Sequence, residues 1–177
     1  MLSRVLSGAT YGVSAYVVEV ETHVERALPA FFIVGLPDSA VRESRGRIAA
    51  AVRNSGFDFP MRKLTVNLAP ADIRKEGSSF DLPMAVGILA ASNQVSRAPL
   101  NEFVMVGELA LDGRLRPVHG VLPIALEVRR RGISGLLVPA ENAREASLVR
   151  ELRVYPLSSL RDVAAFLNGD SRQREPL

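Results

Sequence analysis

The stretch "RKEGSSFDLPMAVGILAA", Arg74 to Ala91, decides how this chain folds. Pro83 has no amide hydrogen and fits only a helix's first turn, so a helix begins close to Ser79–Leu82. From Met84 to Ala91 the residues are apolar almost all round, the pattern of a helix buried between layers. Ser79 or Asp81 can then accept a bond from an unpaired amide of the first turn. On that reading Ser79→Ala costs about 0.5–2 kcal/mol. A serine in this place can also be a nucleophile or part of an anion-holding turn. A nucleophile needs a neighbouring base, from a histidine triad or a serine–lysine dyad. The cap accounts for both serines without chemistry.

Upstream, Val13 to Thr22 is rich in β-branched residues and reads as a strand, with Ala30 to Val34 as its partner. Asp38 or Ser39 caps a helix running to about Asn54, on which Val41, Ile48 and Val52 form the buried stripe. Gly56 is its left-handed stop. Lys63 to Leu68 is a strand, read as central. Downstream, Phe103 to Leu109 and Arg114 to Val118 read as strands joined across Asp112-Gly113, a hairpin signal. A helix from about Val121 to Arg131 stops at Gly132. A strand (Gly135 to Val138), a short helix (about Asn142 to Val149), a strand (Arg153 to Tyr155) and a helix (Ser158 to Leu167) complete the pattern. The expectation is an α/β (α+β) fold: one domain over residues 1–168, with a mixed sheet and helical crossovers. Residues 169–177 are polar and aperiodic and read as a linker.

Composition narrows the function. With 177 residues and 47% hydrophobic content, the chain fills one core. It has no cysteine and two histidines, which excludes thiolate metal sites and a cysteine nucleophile and fits a reducing cytoplasm. No apolar run has membrane-spanning length and no signal-peptide block opens the chain, so no membrane partner is expected. There are 22 basic and 19 acidic residues, and all the basic ones except Lys63 and Lys75 are arginines. Neither lysine follows a glycine as a Walker A loop requires, so no P-loop lies in this segment.

"KEGSSFDLPMA…LAA" followed by "VGELALDGRLRPVHGVLPIALEVRRRGI…LLVPAENA" resembles the proteolytic domain of Lon over roughly Leu68 to Leu167. That family has K-D-G-P-S-A-G before a buried helix, a G-E-x-x-L-x-G-x-V hairpin, and G-G-L-K-E-K at the next helix start. The resemblance puts Ser79 at the catalytic serine and Gly107, Glu108, Gly113 and Pro117 on the hairpin. It also exposes a departure. Leu122 stands where the dyad lysine belongs, and Ile124 where the following lysine does. A leucine cannot accept a proton. His119 precedes the helix by a turn, and nothing in the sequence pairs it with a carboxylate. The resemblance therefore implies a vestigial nucleophile position at Ser79 and no catalytic residue.

Three further strings, "GLPDSAVRESRGRIAAAVRNSGFDFP", "LTVNLAPADIRKEGSSFDLPMAVGILAA" and "VGELALDGRLRPVHGVLPIAL", are similar to the N-terminal region of the ComM/YifB family, magnesium-chelatase-like AAA+ proteins. The resemblance implies the fold of the Lon proteolytic domain and of the second domain of ribosomal protein small-subunit five. It also implies a following AAA+ module that binds ATP and Mg2+, a cytoplasmic hexameric ring, and a helicase driving branch migration of DNA in recombination and natural transformation. The alternatives are a Mg-chelatase-type subunit and a degenerate Lon-like serine hydrolase.

Asp72, Glu76, Asp81 and Glu108 are carboxylates in or near turns, where turn chemistry explains them as well as acid–base work does, and no metal is assigned. Arg129, Arg130 and Arg131 lie in a last helical turn, where cations complement the dipole. Arg42, Arg45 and Arg53 flank the first helix's buried stripe. Arg74 and Lys75 precede a helix N-terminus, which presents amides to anions. Arg42, Arg45, Arg53, Arg74, Lys75, Arg129 and Arg130 are the candidates for weak DNA contact. The aromatic interleaving of single-strand binders is missing.

Overall fold

The computed structural model describes residues 1–177, the side chain of residue 171 excepted. The chain opens with a long hairpin, β1 (Leu2–Tyr11) and β2 (Ser14–Glu25), paired antiparallel from Leu2↔His23 to Tyr11↔Ser14. There follow β3 (Ala30–Val34), α1 (Ser39–Asn54), β4 (Lys63–Ala69) and α2 (Asp81–Ala91). The second half contributes β5 (Phe103–Met105), β6 (Glu108–Leu109), β7 (Leu115–Arg116), α3 (Val121–Arg130) and β8 (Gly135–Pro139). It closes with α4 (Ala143–Ala146), β9 (Arg153–Leu157) and α5 (Leu160–Leu167).

Seven strands form one mixed sheet in the order β3-β4-β2-β1-β5-β8-β9, and β6–β7 is a separate small hairpin. The α/β expectation holds, with three differences. Residues 2–11 form a strand that the periodicity does not announce. Ala30–Val34 pairs parallel with β4, not with β2, so it is an edge strand and β4 lies one in from that edge. The run Phe103–Leu109 breaks after Met105, because the Gly107 amide turns to the carbonyl of Ser79 at 3.0 Å.

Two apolar clusters flank the sheet. The larger one holds α1, α2 and α5, and the smaller holds α3 and α4 on the other face. Every residue of α2 is buried, as its all-round apolar pattern requires. Its close approach explains the small polar residues of β1: Ser3 Oγ donates to the Gly87 carbonyl at 2.7 Å. α1 begins at Asp38, whose Oδ1 accepts the Val41 amide at 2.7 Å, and passes into Gly56 at φ +85°. Residues 169–177 lie back on the domain: the Arg174 Nε donates to the Phe166 carbonyl at 2.9 Å, and the Leu177 amide to that of Val154 at 2.8 Å. Among the described residues no helix is long and apolar enough to cross a membrane.

Candidate functional site at the start of the buried helix

The turn before α2 opens into a cleft of about 570 Å³ lined by Tyr16, Arg74, Glu76, Ser79, His119 and Ile124, among others. Three segments build it: the tip of the β1–β2 hairpin, the turn at 73–79, and the residues between β7 and α3. Burial, then the Glu76 charge, pushes the Tyr16 phenol pKa above its ordinary value.

The turn is held from two sides. Asp38 Oδ2 accepts the Gly77 amide at 3.4 Å, linking the cap of α1 to the start of α2. Gly107 exchanges two bonds with the turn, its amide to the Ser79 carbonyl and its carbonyl from the Leu82 amide, both at 3.0 Å. A backbone carbonyl thus takes the donor assigned above to a side-chain cap. This is a correction: Phe80 is the N-cap residue, and among the described residues no side-chain cap bond closes the first turn. Ser78 Oγ donates to Glu108 Oε2. The Ser79 hydroxyl, partly exposed in the cleft, has no hydrogen-bond partner among the described residues.

Among the described residues no base is hydrogen-bonded to that hydroxyl. Leu122 packs against the smaller apolar cluster, and its amide donates to Glu145 Oε1 at 3.0 Å. The α3 side chain that lines the cleft is Ile124, seated over Gly8, where a Cβ would come within 2.6 Å of its Cγ2. His119 lines the cleft and is exposed, with no bond to Ser79 among the described residues.

Asp81 is wholly buried and engaged. The Arg47 Nε donates to Oδ2 at 2.8 Å and its Nη2 to Oδ1 at 3.0 Å, while the Leu109 amide donates to Oδ2 at 3.0 Å. Desolvation pushes the Asp81 pKa up, and the Arg47 hydrogen bonds and charge pull against it. Arg47 was not among the candidates; its signal lies in helical spacing, three residues past Ser44 and one before Ile48 on a half-buried side of α1. Among the described residues no three His, Cys, Asp or Glu side chains gather as a metal group.

The basic candidates do not converge. Lys75 is fully buried, its ammonium donating to the carbonyls of Gly35 (2.8 Å) and Pro70, so it cannot meet DNA. Burial holds its pKa down, with the Asp72 charge opposing. Arg74 pairs with Glu76 at 3.6 Å, and Arg53 stacks 5.1 Å over the Phe59 ring. Arg129 reaches Glu151 at 3.5 Å. Arg130 and Arg131 share Glu127; their hydrogen bonds, Arg130 first, bring its carboxyl pKa down to about 2. Arg42 and Arg45 stand exposed on α1, across the sheet from α3.

Residues 20–142 match the family described as subunit ChlI of Mg-chelatase. The chain is 46% identical to the competence protein ComM of Haemophilus influenzae over 171 residues, which is 97% of this chain and 33% of that protein. It is 41% identical to the YifB protein of Escherichia coli over 175 residues, 99% of this chain and 34% of that one. The chain therefore spans about a third of the length of these relatives. A Lon protease of Rhizobium meliloti is 27% identical over 146 residues, 75% of this chain and 18% of that enzyme.

Proposed function

Since this chain belongs to the Mg-chelatase subunit ChlI family, with the ComM and YifB proteins, we propose that it is the non-catalytic accessory domain of a hexameric AAA+ motor that drives branch migration of DNA. The observation that carries this reading is the cleft at α2. It keeps the serine turn of a Lon-like site, while α3 offers it an isoleucine and no proton acceptor. A serine hydroxyl without a base is a poor nucleophile.

On this reading the segment holds no nucleotide either. Lys75 is locked among backbone carbonyls, and Lys63 pairs with Glu25 at 3.1 Å. ATP and Mg2+ belong, on this reading, to the AAA+ module elsewhere in the protein. DNA contact by this segment alone is weak and salt-sensitive, because its arginines are scattered and mostly engaged. A ring of six copies multiplies such contact through effective concentration.

The test is to delete residues 1–168 from the full-length protein and compare ATP hydrolysis with Holliday-junction migration. Hydrolysis should stay near its intact rate while migration falls sharply. Migration at the full rate after deletion would refute the accessory role.

A further inference from the structure

β3 is an edge strand, and its free side is unusually bare. The Ala30 amide donates to Arg62 across the parallel pair, so Ala30, Phe32 and Val34 bond to β4. The backbone groups of Phe31 and Ile33 point away from the sheet. Among the described residues one polar contact covers them, from Arg45 Nη1 to the Phe31 carbonyl at 3.2 Å. The strand, "AFFIV", carries no charge, proline or bulge, the usual devices that blunt an edge.

The two faces of this edge differ. Phe31 and Ile33 turn toward the cluster under α1. On the opposite face Phe32 and Val34 are 49% and 45% exposed, and Leu36, just past the strand's end, is 52% exposed. Leu36 also holds φ +57°, a left-handed conformation that leucine disfavours. On α1's face stand Arg42 and Arg45, one turn apart and exposed. Neither makes an ion pair with a carboxylate among the described residues. Arg47, by contrast, is held by Asp81, whose hydrogen bonds and charge raise its pKa, with Glu108 and Glu43 adding to the effect.

We propose that the free edge of β3 takes up an extended acidic segment of a partner polypeptide as an added strand. Side chains of an added strand alternate between faces. One set would cover Phe32 and Val34 and must be apolar. The other would meet Arg42 and Arg45 and must be acidic. A second copy of this chain fits less well, because two-fold pairing of β3 with itself sets α1 beside α1 and opposes like charges.

The test titrates the isotope-labelled chain with a blocked heptapeptide alternating valine and aspartate, followed by amide NMR. Its counterpart alternating valine and lysine and a short thymidine oligonucleotide serve as controls. The acidic peptide should shift the Phe31 and Ile33 amides saturably, and the lysine peptide should not. The surface variant R42E/R45E should weaken binding at least about tenfold, a difference of about 1.4 kcal/mol, with unchanged dispersion elsewhere in the spectrum. Four results would overturn the proposal. They are silence of these amides at millimolar peptide, equal response to the lysine peptide, arginine-dependent shifts with the oligonucleotide alone, and concentration-dependent broadening of β3 without peptide.

Discussion

Lys75 and Asp81 illustrate how a charged side chain in a turn becomes part of the frame. Each is buried, and each is satisfied: Lys75 by the carbonyls of Gly35 and Pro70, and Asp81 by Arg47 and the Leu109 amide. Lys75→Met should lose about 1–3 kcal/mol in denaturant unfolding, since it takes the donor away from the part-buried carbonyls of Gly35 and Pro70. Arg47→Met should cost about 3–5 kcal/mol at pH 7 by leaving the Asp81 carboxylate unpaired. Its pH dependence has a definite sign. Desolvation raises the folded-state pKa of Asp81 above its unfolded value of about 3.9. Between those two values the native state holds the extra proton, so stability rises as pH falls through the window. The deficit of Arg47→Met should therefore shrink on acidification from pH 7 toward 4; a deficit independent of pH would contradict the account. Ser79→Ala should change stability by less than about 0.5 kcal/mol, because no cap bond is lost. Asp38→Ala, which loses a real cap, should cost about 1 kcal/mol. The cap at Asp38 is legible because it lies three residues from the amide it serves. Helical spacing sets Arg47 on a half-buried side of α1, but its partner Asp81, like Gly35 for Lys75, lies 34–40 residues away, and no local pattern names that partner.

At the scale of elements, helices read well and strand pairing reads poorly, for related reasons. α1 announces itself by its Asp38 cap and apolar spacing, and α2 by proline placement and an all-round apolar run, each within one segment. β1 does not, because its packing selects small residues. Ser3, Ser7 and Gly8 lie where helices press on both faces, and Ser7 Oγ spends its donor on the Met105 carbonyl at 2.8 Å. Such a strand lacks the β-branched alternation by which strands are recognised. The partner of β3 was out of reach too, since α1 carries the chain over the sheet before the parallel pairing forms. Gly8 gives a sharp check on this packing. A methyl there meets Ile124 Cγ2 at 2.6 Å, so Gly8→Ala should destabilise by about 1–3 kcal/mol through overpacking. Restoration by the compensating Ile124→Ala, assayed as a double-mutant cycle, would assign the loss to that contact.

For the whole molecule, the sequence carried the fold class and the similarity to Lon. It did not reveal which α3 side chain enters the cleft, since that depends on how the helix rotates over Gly8. Titration of the chain with ATP and Mg2+ should give no heat of binding, because neither lysine is placed to grip a phosphate. A micromolar dissociation constant would contradict this. The central claim, a Lon-like serine turn without a base, is tested most directly by exposing the chain to a serine-reactive fluorophosphonate and weighing the product by mass spectrometry. The account predicts no adduct. An adduct that forms on the native chain and disappears in Ser79→Ala would show a working nucleophile and contradict it.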